Sequence, residues 1–168
     1  MIKRIPFTLA LLSIVGGVVI SILFAVNEDM FKNRISAGLE KNVEIQQIVD
    51  PALKSQKIAS EAEKNWRYYQ RFHFHATGIG AMMMGILLFL ARLKAPKNLK
   101  TVAATMVSVG GTLYPFVWLF AGIYGPEMGR NQAKEAFSIF GYMGGLFLLG
   151  SFLVLLASLI YDVEQAEV

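Results

Sequence analysis

Trp66-Arg67-Tyr68-Tyr69-Gln70-Arg71-Phe72-His73-Phe74-His75-Ala76-Thr77-Gly78-Ile79-Gly80 is the stretch on which the reading of this chain turns. Before Phe72 the sequence is charged and rich in aromatic residues. After it, no charged side chain occurs until Arg92. An apolar run of that length matches the ~20 residues that an α-helix needs to cross ~30 Å of hydrocarbon. Trp66, Tyr68 and Tyr69 suit a membrane–water boundary, where an amphipathic ring sits half wet. Both histidines of the protein, His73 and His75, lie at this change. An ionisable group at the mouth of a span is a functional-site hypothesis by default.

Working outward, the same pattern recurs. The chain has 168 residues, 55% hydrophobic and only 17% charged, which is too apolar for an ordinary soluble domain. Apolar runs cover about 7–26, 72–93, 101–124 and 136–161. Backbone amides inside lipid need partners within their own segment, so such runs must be helices. The expected fold is an all-α membrane protein, a single domain over 1–168. It is a four-transmembrane-helix bundle with an extramembrane helical hairpin, about 27–71, between spans one and two, the alternative to a projecting hairpin being two amphipathic helices on the membrane surface.

Charge placement sets the expected orientation. Lys3 and Arg4 precede the first run, and Arg92, Lys94, Lys97 and Lys100 fill a short connection without an acid. Lysine- and arginine-rich short loops stay on the cytosolic side. The expectation is a multi-pass protein of a bacterial-type inner (plasma) membrane with both termini cytoplasmic. The first run is longer than a signal-peptide core and lacks an Ala-x-Ala site, so it reads as a retained span. The net charge of +4 follows from this placement and does not point to nucleic acid. The partners expected are the lipid bilayer and a second copy or a larger membrane complex.

Within 27–71, apolar residues recur at helical spacing at Phe31, Ile35 and Leu39, and on through Val43, Ile45, Ile48 and Val49. Asp50-Pro51 pairs a good N-cap with a good first helical residue, so a new helix should start there. No glycine or proline separates it from the histidine run, so it should continue unbroken into span two. Pro115, after Gly110-Gly111, should kink or locally loosen span three near Tyr114-Pro115. Ser13/Gly17/Ser21, Ala76/Gly80, Ala81/Gly85 and Gly141/Gly145 are small-residue pairs at a spacing that lets helices approach closely.

His73 and His75 carry the chemical reading. Residues two apart in a helix point about 200° away from each other, so they cannot share one ion unless the helix loosens. Haem or a transition metal are the cofactors to consider, with a quinone as a third ligand class. The candidate cofactor-binding residues are His73, His75, Tyr69 and Arg71, and the candidate metal ligands are His73, His75 and Glu127. Glu127 and Arg130 should emerge near the histidines, with Glu127 as a third ligand or as the carboxylate that orients an imidazole. Tyr114 and the triple Met82-Met83-Met84 read as packing.

The run His73-x-His75-x-x-x-x-Gly80 faintly resembles the histidine-bearing helices of haem–copper oxidase and nitric oxide reductase catalytic subunits. Those families need further histidines on other helices, which this chain lacks, so their chemistry is not expected here. The absence of cysteine excludes disulfides, thiolate nucleophiles and cysteine-held clusters. Catalytic serine triads, phosphate-binding glycine loops and paired catalytic carboxylates are not recognisable. No charge lies in the middle of an apolar run, which disfavours a transporter. Two functions are expected: a haem, metal or quinone site at the outer face serving electron transfer or metal handling, or a non-enzymatic accessory subunit.

Overall fold

The computed structural model describes residues 4–164. They form α1 (Arg4–Lys41), α2 (Val43–Gln46), α3 (Pro51–Arg92), α4 (Lys97–Leu113), α5 (Phe116–Met128), α6 (Arg130–Ala136) and α7 (Ser138–Ile160). Four rods are long and apolar enough to cross a membrane: α1, α3, α4 continued by α5, and α7.

Local sequence explains the boundaries. The Asp50 carboxylate accepts from the amides of Ala52 and Leu53 at 2.7 and 3.2 Å, with Pro51 at the first helical position. From that cap α3 runs without interruption to Arg92. α1 bends at Asn27, whose backbone leaves the helical region at φ −152° and ψ 67°. The Asn27 side chain then accepts from Met30 N at 3.1 Å and restarts the helix. The arm expected to continue helically to Val49 instead stops at Asn42, which adopts an extended backbone and caps α2 by accepting from Ile45 N.

The disturbance expected near Tyr114-Pro115 is a local loosening of the helical hydrogen bonds that separates α4 from α5, while both residues keep helical dihedrals. Pro115 has no N–H, so Gly111 O loses its helical donor. Val117 N donates to Tyr114 O at 3.2 Å, tightening the restart.

The rods pack up-down-up-down. Gly17 of α1 faces Ala76 and Thr77 of α3, and Gly80 faces Ala10 and Ile14, which makes α1 and α3 antiparallel. Gly111 faces Ile79 and Met83, while Gly125 faces Asn65, so α4 and α5 rise along α3. Gly110 abuts Met143 and Phe147, and Gly150 abuts Met106 and Val107, which sets α7 antiparallel to α4. One end of the bundle is therefore basic, carrying Arg4, Arg92, Lys94, Lys97 and Lys100. There Lys94 N donates to Asp162 O and Glu164 N to Arg92 O, each at 2.8 Å, which ties down the segment after α7. The other end is a cap of α2, α6 and the far halves of α1 and α3.

Two apolar clusters form the core. Ala10, Met83, Leu87, Leu90, Val107, Val154 and Ala157 fill the middle and basic end. Phe31, Ile35, Leu39, Ile45, Tyr69 and Phe72 fill the cap end. Ser13 and Gly17 lie in the α1–α3 seam as their spacing implied, and Ser13 Oγ donates to Ala76 O at 3.0 Å. Two small-residue pairs behave otherwise. Ala81 and Gly85 face outward, and a Cβ on Gly85 or Gly145 would meet nothing within 4 Å. The close seam of α7 uses Gly144 and Gly150 instead, because α7 is rotated to present them to Tyr114, Met106 and Val107.

Candidate functional site

The buried stripe of α3 holds Glu61, Asn65, Tyr68, Tyr69, Phe72, Ala76, Ile79, Gly80 and Met83, at helical three- and four-residue steps. Its upper members are polar, and each has a use. Glu61 Oε2 accepts from Arg130 Nε at 2.6 Å, and Oε1 lies 3.2 Å from Lys64 Nζ and 3.6 Å from Lys57 Nζ. Burial pushes the Glu61 carboxyl up. The hydrogen bonds from Arg130 and Lys64 outweigh that and hold it below its ordinary value. The same bond raises the Arg130 guanidinium.

One turn further along, Asn65 is fully buried, and its Nδ2 donates to Glu61 O at 2.8 Å. Its Oδ1 has no hydrogen-bond partner among the described residues and lies over Gly125, where a Cβ would come within 2.7 Å of it. Asn42 Nδ2 donates to Pro126 O at 3.0 Å and to Glu127 O at 3.1 Å. Between these groups lies a polar cavity of about 230 Å³ lined by Asn42, Lys57, Glu61, Gly129 and Arg130, among others. Gly129 turns α5 into α6 at φ +93°, a left-handed conformation that favours glycine. Asn42 ties the start of α2 to the end of α5, and Glu61 ties α3 to α6, its one carboxylate serving the three cations Lys57, Lys64 and Arg130.

The two histidines face apart. His73 Nδ1 donates to Gly17 O at 2.8 Å and bonds α3 to α1. His75 Nδ1 donates to Arg71 O of its own helix at 2.7 Å. The His75 ring lies 5.4 Å from that of Tyr114 and 5.8 Å from that of Trp118. Because carbonyls accept, both imidazoles carry a proton on Nδ1, and Nε2 has no hydrogen-bond partner among the described residues. Arg71 lies over Trp118 at 4.9 Å and over Tyr68 at 5.6 Å, so Arg71 and His75 share Trp118 as a neighbour. Tyr69 is core, 1% exposed and edge-on to Phe31.

Glu127 contributes a backbone carbonyl to Asn42, and its side chain is exposed. Arg130 is not beside the histidines. It pairs with Glu61, about 18 Å along α3 from His73 at ~1.5 Å per residue. Among the described residues no three His, Cys, Asp or Glu side chains form a group that could hold a metal ion. Of the methionine triple, Met83 is core while Met82 faces outward.

A second concavity, of about 360 Å³, lies where α5, α6 and α7 meet, lined by Tyr114, Trp118, Lys134, Ser138, Gly141 and Tyr142. Trp118 Nε1 is buried without an acceptor. The Glu61–Arg130 clasp was missed from sequence, although Glu61 and Asn65 fall in register with Tyr69, Phe72 and Ala76. Following the stripe through its polar positions is the signal that finds them. Comparison with protein-family models, with curated proteins and with solved structures finds no match.

Proposed function

We propose that this chain is a four-span inner-membrane protein acting as a non-enzymatic accessory subunit, with its basic end in the cytosol and its cap projecting on the other side. The observation that carries the proposal is the length and stitching of two helices. α3 has 42 residues without a break, or about 63 Å at ~1.5 Å per residue, and α1 has 38 residues in two helical pieces joined at Asn27. Hydrocarbon accounts for only ~30 Å of that. Asn42, bonded to the Pro126 and Glu127 carbonyls, and the Glu61–Arg130 pair support the reading of the remainder as a projecting mast. Near its tip, Val43, Val49 and Leu53 are 68%, 94% and 58% exposed, apolar surface suited to a partner subunit. The basic end carries the lysines and arginines that stay cytosolic.

The test uses the cysteine-free background. Val49→Cys in intact cells should react with an impermeant maleimide, and Asn98→Cys only after permeabilisation. Val49→Asp with Leu53→Asp should shrink the native-gel assembly without lowering the melting temperature. Reversed labelling, or a monomeric parent in native-lipid discs, overturns the proposal.

A second reading, a haem, metal or quinone ligand at the outer rim, is favoured by the Nε2 of His73 and of His75, which no described residue hydrogen-bonds. Ligating histidines ordinarily give their other ring N–H to a carbonyl in this way. As the two rings face apart, one ion held by both would require a second copy. Purified protein with neither visible absorbance nor stoichiometric metal rules that reading out.

A further inference from the structure

We infer that the crevice between α5, α6 and α7 holds the phosphate headgroup of an anionic phospholipid; the inference rests on the membrane reading above. Its polar fittings suit an anion. Lys134 reaches the crevice half-buried, and among the described residues no carboxylate lies within ion-pair distance of it. Its chain neighbour Glu135 is exposed and makes no such pair. Ser138, Tyr114 and Tyr142 bring hydroxyl groups, each able to donate, and no carboxylate lines the walls.

The rest of the crevice suits a lipid rather than a free ion. Val117 and Gly141 floor it, and a Cβ on Gly141 would meet only Val117, at 3.9 Å. Below it, the same face of α7 continues outward through Leu148, Leu149, Phe152 and Leu156, all exposed apolar side chains along which acyl chains can lie. Tyr142 is 71% exposed, an amphipathic ring of the kind found at headgroup level. Arg71, stacked on Trp118 of the crevice wall, adds a second cation near the same rim, with no carboxylate in ion-pair distance among the described residues. A basic pocket between spans, aromatic at its mouth and apolar beneath, recognises an anionic headgroup by charge and its tails by shape.

The full chain, purified and stripped of lipid, is titrated by native mass spectrometry with phosphatidylglycerol, phosphatidylcholine and inorganic phosphate separately. Its insertion is checked beforehand by resistance to alkaline extraction from vesicles. Phosphatidylglycerol should bind at least fivefold tighter than phosphatidylcholine. Lys134→Gln should weaken it about fivefold, the effect of one basic residue at an anionic surface. Gly141→Leu should block both lipids while keeping the parent melting temperature, since nothing crowds that position. Equal affinity for the two lipids, or an unchanged Lys134→Gln, overturns the inference and leaves the membrane reading intact. Inorganic phosphate binding as tightly as phosphatidylglycerol also overturns it, in favour of a free-anion site. Extraction by alkali sinks the membrane reading and this inference with it.

Discussion

Replacing Gly110 with alanine tests the packing more sharply than any change at a titratable group. A Cβ there would lie 2.4 Å from Phe147 N, 2.7 Å from Met143 O and 3.0 Å from Leu146 C, all backbone atoms of α7 that no rotamer change can move aside. Reaching ordinary contact requires α4 and α7 to separate by roughly 1 Å. A gap of that size forfeits about a quarter to a half of each dispersion contact along the seam. Val107, Phe147, Val154 and Ala157 all pack in the cluster on that seam. The expected cost is about 2–3 kcal/mol, in the range of overpacked cores. For a chain of this length that is a fall in melting temperature of roughly 5–10 °C. The control is Gly145→Ala on α7, where nothing lies within 4 Å and alanine's better helix propensity, about 0.5–1 kcal/mol, should raise the melting temperature by about 1–4 °C. Thermal unfolding in one detergent, read by circular dichroism, compares the two with the parent. Equal effects of the two alanines, or a silent Gly110→Ala, would show that α4 and α7 do not meet in this register.

Other outcomes follow from the polar groups. Arg130→Met removes the closest partner of a Glu61 side chain that is 11% exposed, and should cost about 1–2 kcal/mol, discounted because Lys64 remains and Arg130 is itself 32% exposed. Because Glu61 is held below its ordinary value of 4.5, its stabilisation is complete above that pH and is lost as the pH falls further. Parent melting curves should therefore steepen in their decline below about pH 4.5, and those of Arg130→Met should flatten there. His73→Ala breaks the bond to Gly17 across two helices and should cost about 0.6–1 kcal/mol, whereas His75→Ala breaks one within α3 and should cost less than half of that. A larger loss for His75→Ala would show that its ring, not His73, holds helices together. Asn65→Leu gives up one hydrogen bond but also a buried Oδ1 without a partner, so its stability should stay within about 1 kcal/mol of the parent. A loss of 3 kcal/mol or more would mean that Oδ1 is bonded after all.

Sequence alone determined the four apolar rods, the start of α3 at Asp50-Pro51, the loosened hydrogen bonding at Tyr114-Pro115 and the divergence of His73 from His75. Each is a local property: the length of a run, a cap, a missing amide proton, an angle of about 100° per residue. The tertiary structure alone decided that Gly110, Gly144 and Gly150 form close seams while Gly85 and Gly145 stay open, and that Arg130 meets Glu61 across 69 positions of chain instead of approaching the histidines. Those outcomes depend on how far each helix is rotated and slid against its neighbours. That choice sums many small contacts over several rods at once, and a helix whose whole circumference is apolar carries little periodic signal to reveal it.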